Sequence, residues 1–236
     1  MKNKENYQNR LYDTLNLIRA SGTRPRLLLH VCCAPCSSAC LDILKDYFDI
    51  TLLFYNPNIH PQQEYIKRDE ELKQFVKTLN QENAQKIEQN LVSEIKIWDI
   101  PYNADEFFMA VKGLEKEREG GARCKKCFEL RLAKTAEICK MGGFDYFTTT
   151  LTISPYKDSS LLNEIGKAMQ SYYNTKYLFS DFKKDNGYNR SLIYSNKYRL
   201  YRQDYCGCVF SKLEREQQKK EKQAKLELEK SFAKRQ

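Results

Sequence analysis

Cysteine is the residue type in this sequence that could do the most chemistry. The 236-residue chain contains nine cysteines, and seven of them fall into three short clusters. The clusters read HVCCAPC, RCKKC and YCGC, and their thiols belong to Cys32, Cys33, Cys36, Cys124, Cys127, Cys206 and Cys208. Closely spaced thiols bind zinc or iron–sulfur clusters, or they exchange disulfides. The spacing therefore indicates a metal or redox centre.

Three kinds of thiol centre fit this pattern. A structural zinc ion takes four ligands, which would leave three of the seven clustered thiols without a role. A chain with 41% apolar and 12% aromatic residues also has enough core without a zinc staple. Both points favour an iron–sulfur cluster, while zinc binding and thiol redox chemistry alone stay open.

The third cluster has two interpretations of its own. Cys206 and Cys208 could close a very short disulfide ring, which would be strained and easily reduced. Alternatively, Cys208 could join Cys33 or Cys36 on a second, mononuclear metal. The two isolated cysteines, Cys40 and Cys139, are expected to be buried packing residues.

The elements that would position these thiols alternate between strand and helix. Apolar stretches predict five strands, at residues 26–31, 50–55, 95–100, 144–149 and 177–182. Helices are predicted at residues 37–48, 60–80, 104–119, 123–141 and 158–172. This alternation predicts an α/β fold, with a mostly parallel sheet and helices on both faces. Ligands bind outside the carboxyl ends of such strands, and Cys32 and Cys33 directly follow the first.

Charge divides the chain into three predicted segments. The net charge is +9, yet residues 25–211 hold 26 basic and 24 acidic groups. We expect a basic, helical extension over residues 1–24, one α/β catalytic domain over 25–211, and a charged helix or tail over 212–236. No apolar stretch approaches the roughly 20 residues that cross a bilayer, and no secretory signal is recognisable at the start. A cytoplasmic protein without membrane contact is therefore expected.

Five motifs, in this order, carry a resemblance to a known family. They are HVCCAPCS, YNPNIHP, ARCKKCFELRL, TTTLTISPYKD and LYRQDYCGCVFS, and they extend from about Leu27 to Phe210. The chain resembles the QueH-type epoxyqueuosine reductases. That resemblance implies a Rossmann-like sheet similar to the nucleotide α-hydrolase (HUP) type. It also implies reduction of epoxyqueuosine to queuosine at the wobble position of tRNA, the last step of queuosine synthesis, without cobalamin.

The resemblance further implies a division of labour among the thiols. A [4Fe–4S] cluster would be held by Cys32, Cys33, Cys124 and Cys127. Cys206 and Cys208 would form a redox-active pair or would be ligands of a second metal, an additional mononuclear iron. Cys36 is a candidate ligand of that second metal. An external electron donor would supply the two electrons.

Other residues are candidates for contact with the substrate. The candidate proton donors are Asp204, Tyr205 and Tyr156. The candidate tRNA contacts, which can pair with phosphates or stack on bases, are Arg123, Lys125, Lys126, Arg131, Arg199 and Arg202. Two alternatives remain: a tRNA-thiolating enzyme of the same sheet type, and a non-catalytic RNA-binding module stapled by zinc. The absence of an SGGxDS-type phosphate loop weighs against the first.

Overall fold

A four-stranded parallel sheet forms the centre of the molecule in a computed structural model that describes residues 5–233. The strands are β1 (Arg26–His30), β2 (Asp49–Leu53), β3 (Lys96–Trp98) and β4 (Tyr146–Thr149). Their order in the sheet is β3-β2-β1-β4, and each neighbouring pair is parallel. The predicted α/β fold with a parallel sheet is confirmed. The closer likeness to the nucleotide α-hydrolase type stays a prediction.

Nine α-helices and one 3₁₀ turn connect and cover the strands within the described residues. The helices are α1 (Tyr7–Ser21), α2 (Ala34–Leu44), α3 (Gln62–Glu82), α4 (Ala84–Glu88), α5 (Ala104–Ala110), α6 (Ala122–Met141), α7 (Ser159–Tyr173), α8 (Gly187–Lys197) and α9 (Val209–Ala233), and the 3₁₀ turn is Thr150–Ile153. Across the described residues, helices that combine the length and the apolar character needed to cross a membrane are absent.

Strand β1 shows why helices are needed on both faces of the sheet. Side chains of a strand point alternately to opposite faces, and every residue from Leu27 to His30 is fully buried. Leu27 and Leu29 pack into a core together with apolar residues of α1, α2 and α3. Leu28 packs into a second core, formed with α6 and α7. Burial on both faces explains the continuous apolar sequence of this strand.

The predicted fifth strand is wrong. Within residues 177–182, a single bridge from Tyr177 to Phe147 replaces a strand ladder. The reason is that a side chain takes the main-chain groups that a neighbouring strand would pair. Asn163 of α7 accepts a hydrogen bond from the Ser180 N–H at 3.1 Å and donates one to the Ser180 carbonyl at 2.8 Å.

Two helix predictions also need correction. The helix predicted for residues 104–119 ends at Ala110, and turns follow up to Gly121. Helix α8 is absent from the prediction. It packs against α2, and its Arg190 forms an ion pair with Asp42 of that helix.

The two terminal segments continue into the domain between them. Helix α1 lies within the predicted N-terminal extension, and its Leu11, Leu15 and Ile18 belong to the first core. Helix α9 begins before the boundary predicted at residue 211 and runs through it. Residues 1–4 and 234–236 of the predicted terminal segments lie outside the described residues. The division of the chain into three segments stays a prediction.

Candidate metal and redox centre

The first thiols lie where the order of strands in the sheet changes direction. From β1 the chain continues to β2 on one side, whereas β4 pairs with β1 on the other side. The segments that leave β1 and β4 therefore part at the carboxyl edge, which opens a crevice there. Cys32 and Thr150 come from these two segments, and Cys32 Sγ lies 3.9 Å from Thr150 Oγ1.

Three thiols form a compact group at this edge. Cys33 is the residue before α2, and Cys36 lies in the first turn of that helix. The sulfur atoms of Cys32, Cys33 and Cys36 all lie within 4.8 Å of one another. The pKa of Cys32 is lowered well below its ordinary value because the other two thiols donate hydrogen bonds to its thiolate. The same interaction raises the pKa of Cys33 to about 12, and that of Cys36 is raised as well.

The second cluster occupies the start of α6. Cys124 and Cys127 lie three residues apart, so both thiols share one face of the helix. The Gly120 N–H donates to Cys124 Sγ at 3.2 Å, and Arg131 Nη1 donates to Cys127 Sγ at 3.9 Å. Burial raises the pKa of Cys127 to about 11.

The third cluster is a tight turn directly before α9. The Cys206 N–H donates to Ser211 Oγ at 2.9 Å, and the Ser211 N–H donates to Cys208 Sγ at 3.3 Å. The His60 N–H donates to the Gly207 carbonyl at 2.9 Å. Gly207 has a φ of +113°, a backbone conformation that favours glycine. The turn is therefore fixed from both of its sides.

Two cavities bring the three clusters together. The cysteines that line a small cavity of about 130 Å³ are Cys124, Cys127, Cys206 and Cys208. Those that line a large cavity of about 660 Å³ are Cys32, Cys33, Cys36 and Cys206. The residues that line both are Glu119, Tyr156, Lys157 and Cys206. All seven clustered cysteines thus line two cavities that share four residues, and Cys206 lines both of them.

The donor set fits a thiophilic metal or an iron–sulfur cluster. All nine cysteines are free thiols. The thiols of Cys32, Cys33 and Cys36 are close enough to bind one metal ion together. Thiolates are the ligands that select zinc and iron–sulfur clusters. The grouping differs from the predicted one, because Cys124 and Cys127 share their cavity with Cys206 and Cys208. The assignment of individual thiols to a cluster, a second metal or a disulfide stays a prediction.

Both isolated cysteines have the surroundings of packing residues. Cys40 and Cys139 are fully buried. Each thiol donates to a main-chain carbonyl: Cys40 to Cys36 at 3.4 Å, and Cys139 to Phe144 at 3.5 Å. These contacts agree with the prediction that neither belongs to the thiol centre.

A buried polar network lies behind the thiols. Arg131 Nη2 donates to Asn56 Oδ1 at 2.6 Å, and Asn56 Nδ2 donates to the Val31 carbonyl at 2.8 Å. Arg131 Nε lies 3.3 Å from His30 Nε2. Burial and the Arg131 charge lower the pKa of His30 to about 3, so its ring is neutral. The network ties α6 to the ends of β1 and β2 and fixes the residue that donates to Cys127.

The three predicted proton donors all line the large cavity, but they differ in exposure and in their binding partners. Tyr156 is 80% exposed. Asp204 pairs with Lys219 at 2.6 Å, and the hydrogen bond from Lys219 lowers the pKa of the Asp204 carboxyl. Tyr205 is half-buried below the guanidinium of Arg68, and burial raises the pKa of its hydroxyl.

The six predicted tRNA contacts separate into buried and exposed groups. Arg123 and Arg131 are each 1% exposed, which leaves them no surface for a phosphate. Arg123 instead pairs with Glu214 of α9 at 2.8 Å. The other four, with exposed side chains, are Lys125, Lys126, Arg199 and Arg202. Arg202 also lines the large cavity.

Three residues at the site escaped the sequence interpretation. Lys157 lies within the TTTLTISPYKD motif, but a single lysine there gives no signal of its own. Asn56 belongs to the NPN turn after β2, and its role depends on contacts from α6. Arg68 is one of many charged residues on α3, yet it is 1% exposed and reaches the third cluster. Their roles come from contacts between distant segments, which spacing alone does not show.

Comparison with known proteins identifies the family of this chain. A family model described as "Epoxyqueuosine reductase QueH" matches residues 27–214. The protein of that name from Staphylococcus epidermidis is 43% identical over 214 residues, covering 89% of this chain and 87% of the relative. The one from Streptococcus pyogenes is 43% identical over 208 residues, covering 88% and 78%. The one from Thermotoga maritima is 36% identical over 192 residues, covering 80% and 91%. This chain therefore belongs to the epoxyqueuosine reductase QueH family.

Proposed function

We propose that this protein is an epoxyqueuosine reductase that acts on tRNA in the cytoplasm. It would convert epoxyqueuosine at the wobble position to queuosine, with two electrons from an external donor and loss of the epoxide oxygen as water. The observation that carries the proposal is that the seven clustered cysteines line two cavities, of about 130 and 660 Å³, that share four residues, in a chain of this family. A cavity of that size suits a single nucleoside-sized ligand.

The cofactor belongs to this proposal. We expect Cys32, Cys33, Cys124 and Cys127 to hold a [4Fe–4S] cluster, with Cys206 and Cys208 as a redox-active pair. In the alternative division, Cys206, Cys208 and Cys36 contribute to a second site for a mononuclear iron. The bound cluster would supply electrons one at a time, and no cobalamin is required. The thiol chemistry described above supports both divisions.

The chain itself would bind and orient the modified nucleoside. Tyr156, Tyr188 and Arg202 line the large cavity and offer faces on which a base can stack. Lys125 and Lys126 project into solvent at the start of α6, next to the thiols of that helix, where they can neutralise phosphates. The buried Arg131–Asn56 pair would keep α6 fixed while tRNA binds.

The decisive experiment uses protein purified without oxygen. After reduction with dithionite, it is mixed with tRNA that contains epoxyqueuosine, and the nucleosides are analysed by mass spectrometry. The expected product is queuosine, and the protein is expected to contain iron with the spectrum of a [4Fe–4S] cluster. Iron-free protein that stays inactive after cluster reconstitution would contradict the proposal.

Two other outcomes would identify the alternative functions. ATP-dependent incorporation of sulfur into tRNA would indicate a thiolating enzyme. Stoichiometric zinc without iron, together with unchanged tRNA, would indicate an RNA-binding module. Variants Cys206→Ala and Cys208→Ala separate the two divisions of thiols: retained iron with lost turnover supports a redox pair, whereas lost iron supports metal ligation.

A further inference from the structure

Lys157 lies in the wall that the two cavities share. It follows the 3₁₀ turn and precedes α7, in a turn closed by the Lys157 N–H donating to the Ser154 carbonyl. It shares the small cavity with Cys124, Cys127, Cys206 and Cys208, and the large cavity with Cys32, Cys33, Cys36 and Cys206. A cation is thus placed between the two groups of thiols, on the surface that a bound nucleoside would touch.

The ammonium of Lys157 has no carboxylate partner within the described part of the chain. None of the carboxylates among the described side chains forms an ion pair with it. The neighbouring Asp158 is turned away, because its Oδ1 accepts from the main-chain N–H groups of Ser160 and Leu161. Asp204 pairs with Lys219, and Glu214 pairs with Arg123. The carboxylates of Asp158, Asp204 and Glu214 are therefore engaged elsewhere. Glu119 also lines both cavities, and among the described side chains it forms no ion pair with Lys157.

The other cations of the large cavity are already committed to protein partners. Arg131 donates to Asn56, Arg202 donates to Ser195 Oγ at 3.0 Å, and Arg215 lies 3.7 Å from Asp204. Lys157 differs from these three because its donors have no acceptor among the described side chains. Its ammonium is therefore free to donate to a ligand oxygen bound in the cavity.

The proposed reaction creates such an oxygen. Epoxide reduction breaks both carbon–oxygen bonds, forms the alkene, and uses two electrons from the external donor and two protons from solvent to release water. As the first carbon–oxygen bond breaks, the oxygen takes the bonding electron pair and becomes negatively charged. A preorganised cation beside that oxygen lowers the barrier, because it stabilises charge present only in the transition state.

We propose that Lys157 binds the epoxide oxygen and stabilises its negative charge as the ring opens. This inference rests on the proposed function and adds a catalytic residue to it. It also explains why none of the predicted proton donors has to occupy that position: Tyr156 is exposed to solvent, and Asp204 is held by Lys219. Lys157 would occupy the position beside the epoxide oxygen, from the wall that the two cavities share.

The test compares Lys157→Met with Lys157→Arg under single turnover, in the cluster-loaded enzyme with epoxyqueuosine tRNA. Removal of one oxyanion donor lowers rates by about 100–1,000-fold, and we expect a loss of that size for Lys157→Met. Lys157→Arg, which keeps the charge, should retain a larger share of the rate. Lys167→Met, an exposed lysine of α7 outside both cavities, is the control and should react at the wild-type rate.

Three further readouts separate catalysis from structure. Iron content and tRNA affinity of Lys157→Met should equal those of the wild type. Added propylammonium should restore turnover to Lys157→Ala, whereas propanol should not, because only the first supplies a cation. Wild-type turnover by Lys157→Met, loss of its iron or tRNA binding, or a failed rescue would each overturn the inference while leaving the proposed function intact. A wild-type enzyme that cannot reduce epoxyqueuosine would overturn both.

Discussion

The guanidinium of Arg68 donates a hydrogen bond to the main-chain carbonyl of Cys206, with Nη1 3.4 Å from the oxygen. Arg68 lies on α3 and is fixed there by Glu64, whose Oε1 accepts from Nε at 2.7 Å. The same guanidinium stands over the ring of Tyr205 at 5.4 Å. A buried cation on α3 therefore fixes the position of the turn from Cys206 to Cys208, which directly precedes α9.

Replacing Arg68 should loosen this turn. We expect Arg68→Met to lower iron retention or turnover by about 10–100-fold, the range found when a partner behind a metal ligand is lost. The variant also leaves Glu64 without its partner, which should lower the free energy of unfolding by about 3–5 kcal/mol. Iron analysis, turnover and urea denaturation measure these effects. Lys73→Met on the same helix is the control, because the Lys73 side chain is 44% exposed. Equal iron content, turnover and stability in the two variants would refute the role of Arg68.

Gly207 is required by both its backbone and its surroundings. A Cβ at this position would lie 2.9 Å from Arg68 Nη1 and 3.0 Å from Ile59 Cγ1. Gly207→Ala should therefore lower the free energy of unfolding through backbone strain, about 1–3 kcal/mol, and should also displace Arg68.

Gly113→Ala is a matched control for this substitution. Gly113 has a φ of +84°, but a Cβ there would have no atom within 4 Å. The two variants share the backbone strain, so the difference between their urea midpoints and iron contents reports the crowding at Gly207. Equal losses in both variants would show that the contact with Arg68 is unimportant.

Cys124 and Cys139 lie on the same helix and should respond oppositely to substitution. We expect Cys124→Ala to lose most of its cluster iron, since the thiol faces a cavity with three other thiols. Cys139→Ala should keep its iron, because that thiol donates only to the Phe144 carbonyl. Iron-to-protein ratios and electron paramagnetic resonance of anaerobic protein make the comparison. Full iron in Cys124→Ala would remove that residue from the centre.

Asp204 should be dispensable for turnover. Its carboxylate is half-exposed and is held by Lys219 and Arg215 of α9. Exposed ion pairs contribute at most about 1 kcal/mol, so Asp204→Asn should change the single-turnover rate by no more than about fivefold. A much larger loss, with unchanged iron and tRNA affinity, would restore Asp204 as a candidate acid.

Lys125 and Lys126 should contribute to tRNA affinity through charge alone. Both side chains are more than half exposed beside Glu129. The double variant Lys125→Ala/Lys126→Ala should weaken tRNA binding and reduce the slope of log K against log salt by about 1–2. Filter binding over a range of salt concentrations measures both. Lys140→Ala, an exposed lysine at the opposite end of α6, should leave the slope unchanged.

The sequence was sufficient for the framework of the fold. Continuous apolar stretches predicted β1 and β2, and the helix predicted at residues 123–141 corresponds to α6. The prediction failed at residues 177–182, where the apolar pattern is that of a strand but the Asn163 side chain takes the main-chain hydrogen bonds. A side chain that replaces a strand neighbour cannot be recognised from periodicity.

The candidate site was predictable in its thiols but not in its cations. Spacing identified all seven clustered cysteines, since the thiols within each cluster lie close together along the chain. Arg123 and Arg131 were placed among the tRNA contacts because local sequence shows charge but does not show burial. Arg68 and Lys157 lie beside residues that are distant in sequence, so their positions at the site can be recognised only in the folded chain.

The three thiol clusters come from stretches of chain that are far apart in sequence and meet only at the edge of the sheet. Such long-range contacts form slowly, because distant segments must first be brought together. On the ribosome, Cys32 and its neighbours are therefore exposed well before Cys206 and Cys208 have been synthesised. Under the proposed function, the metal would therefore bind to the finished fold and not to the nascent chain. Oxidative stress would therefore oxidise the exposed thiols during synthesis, before any substrate binds.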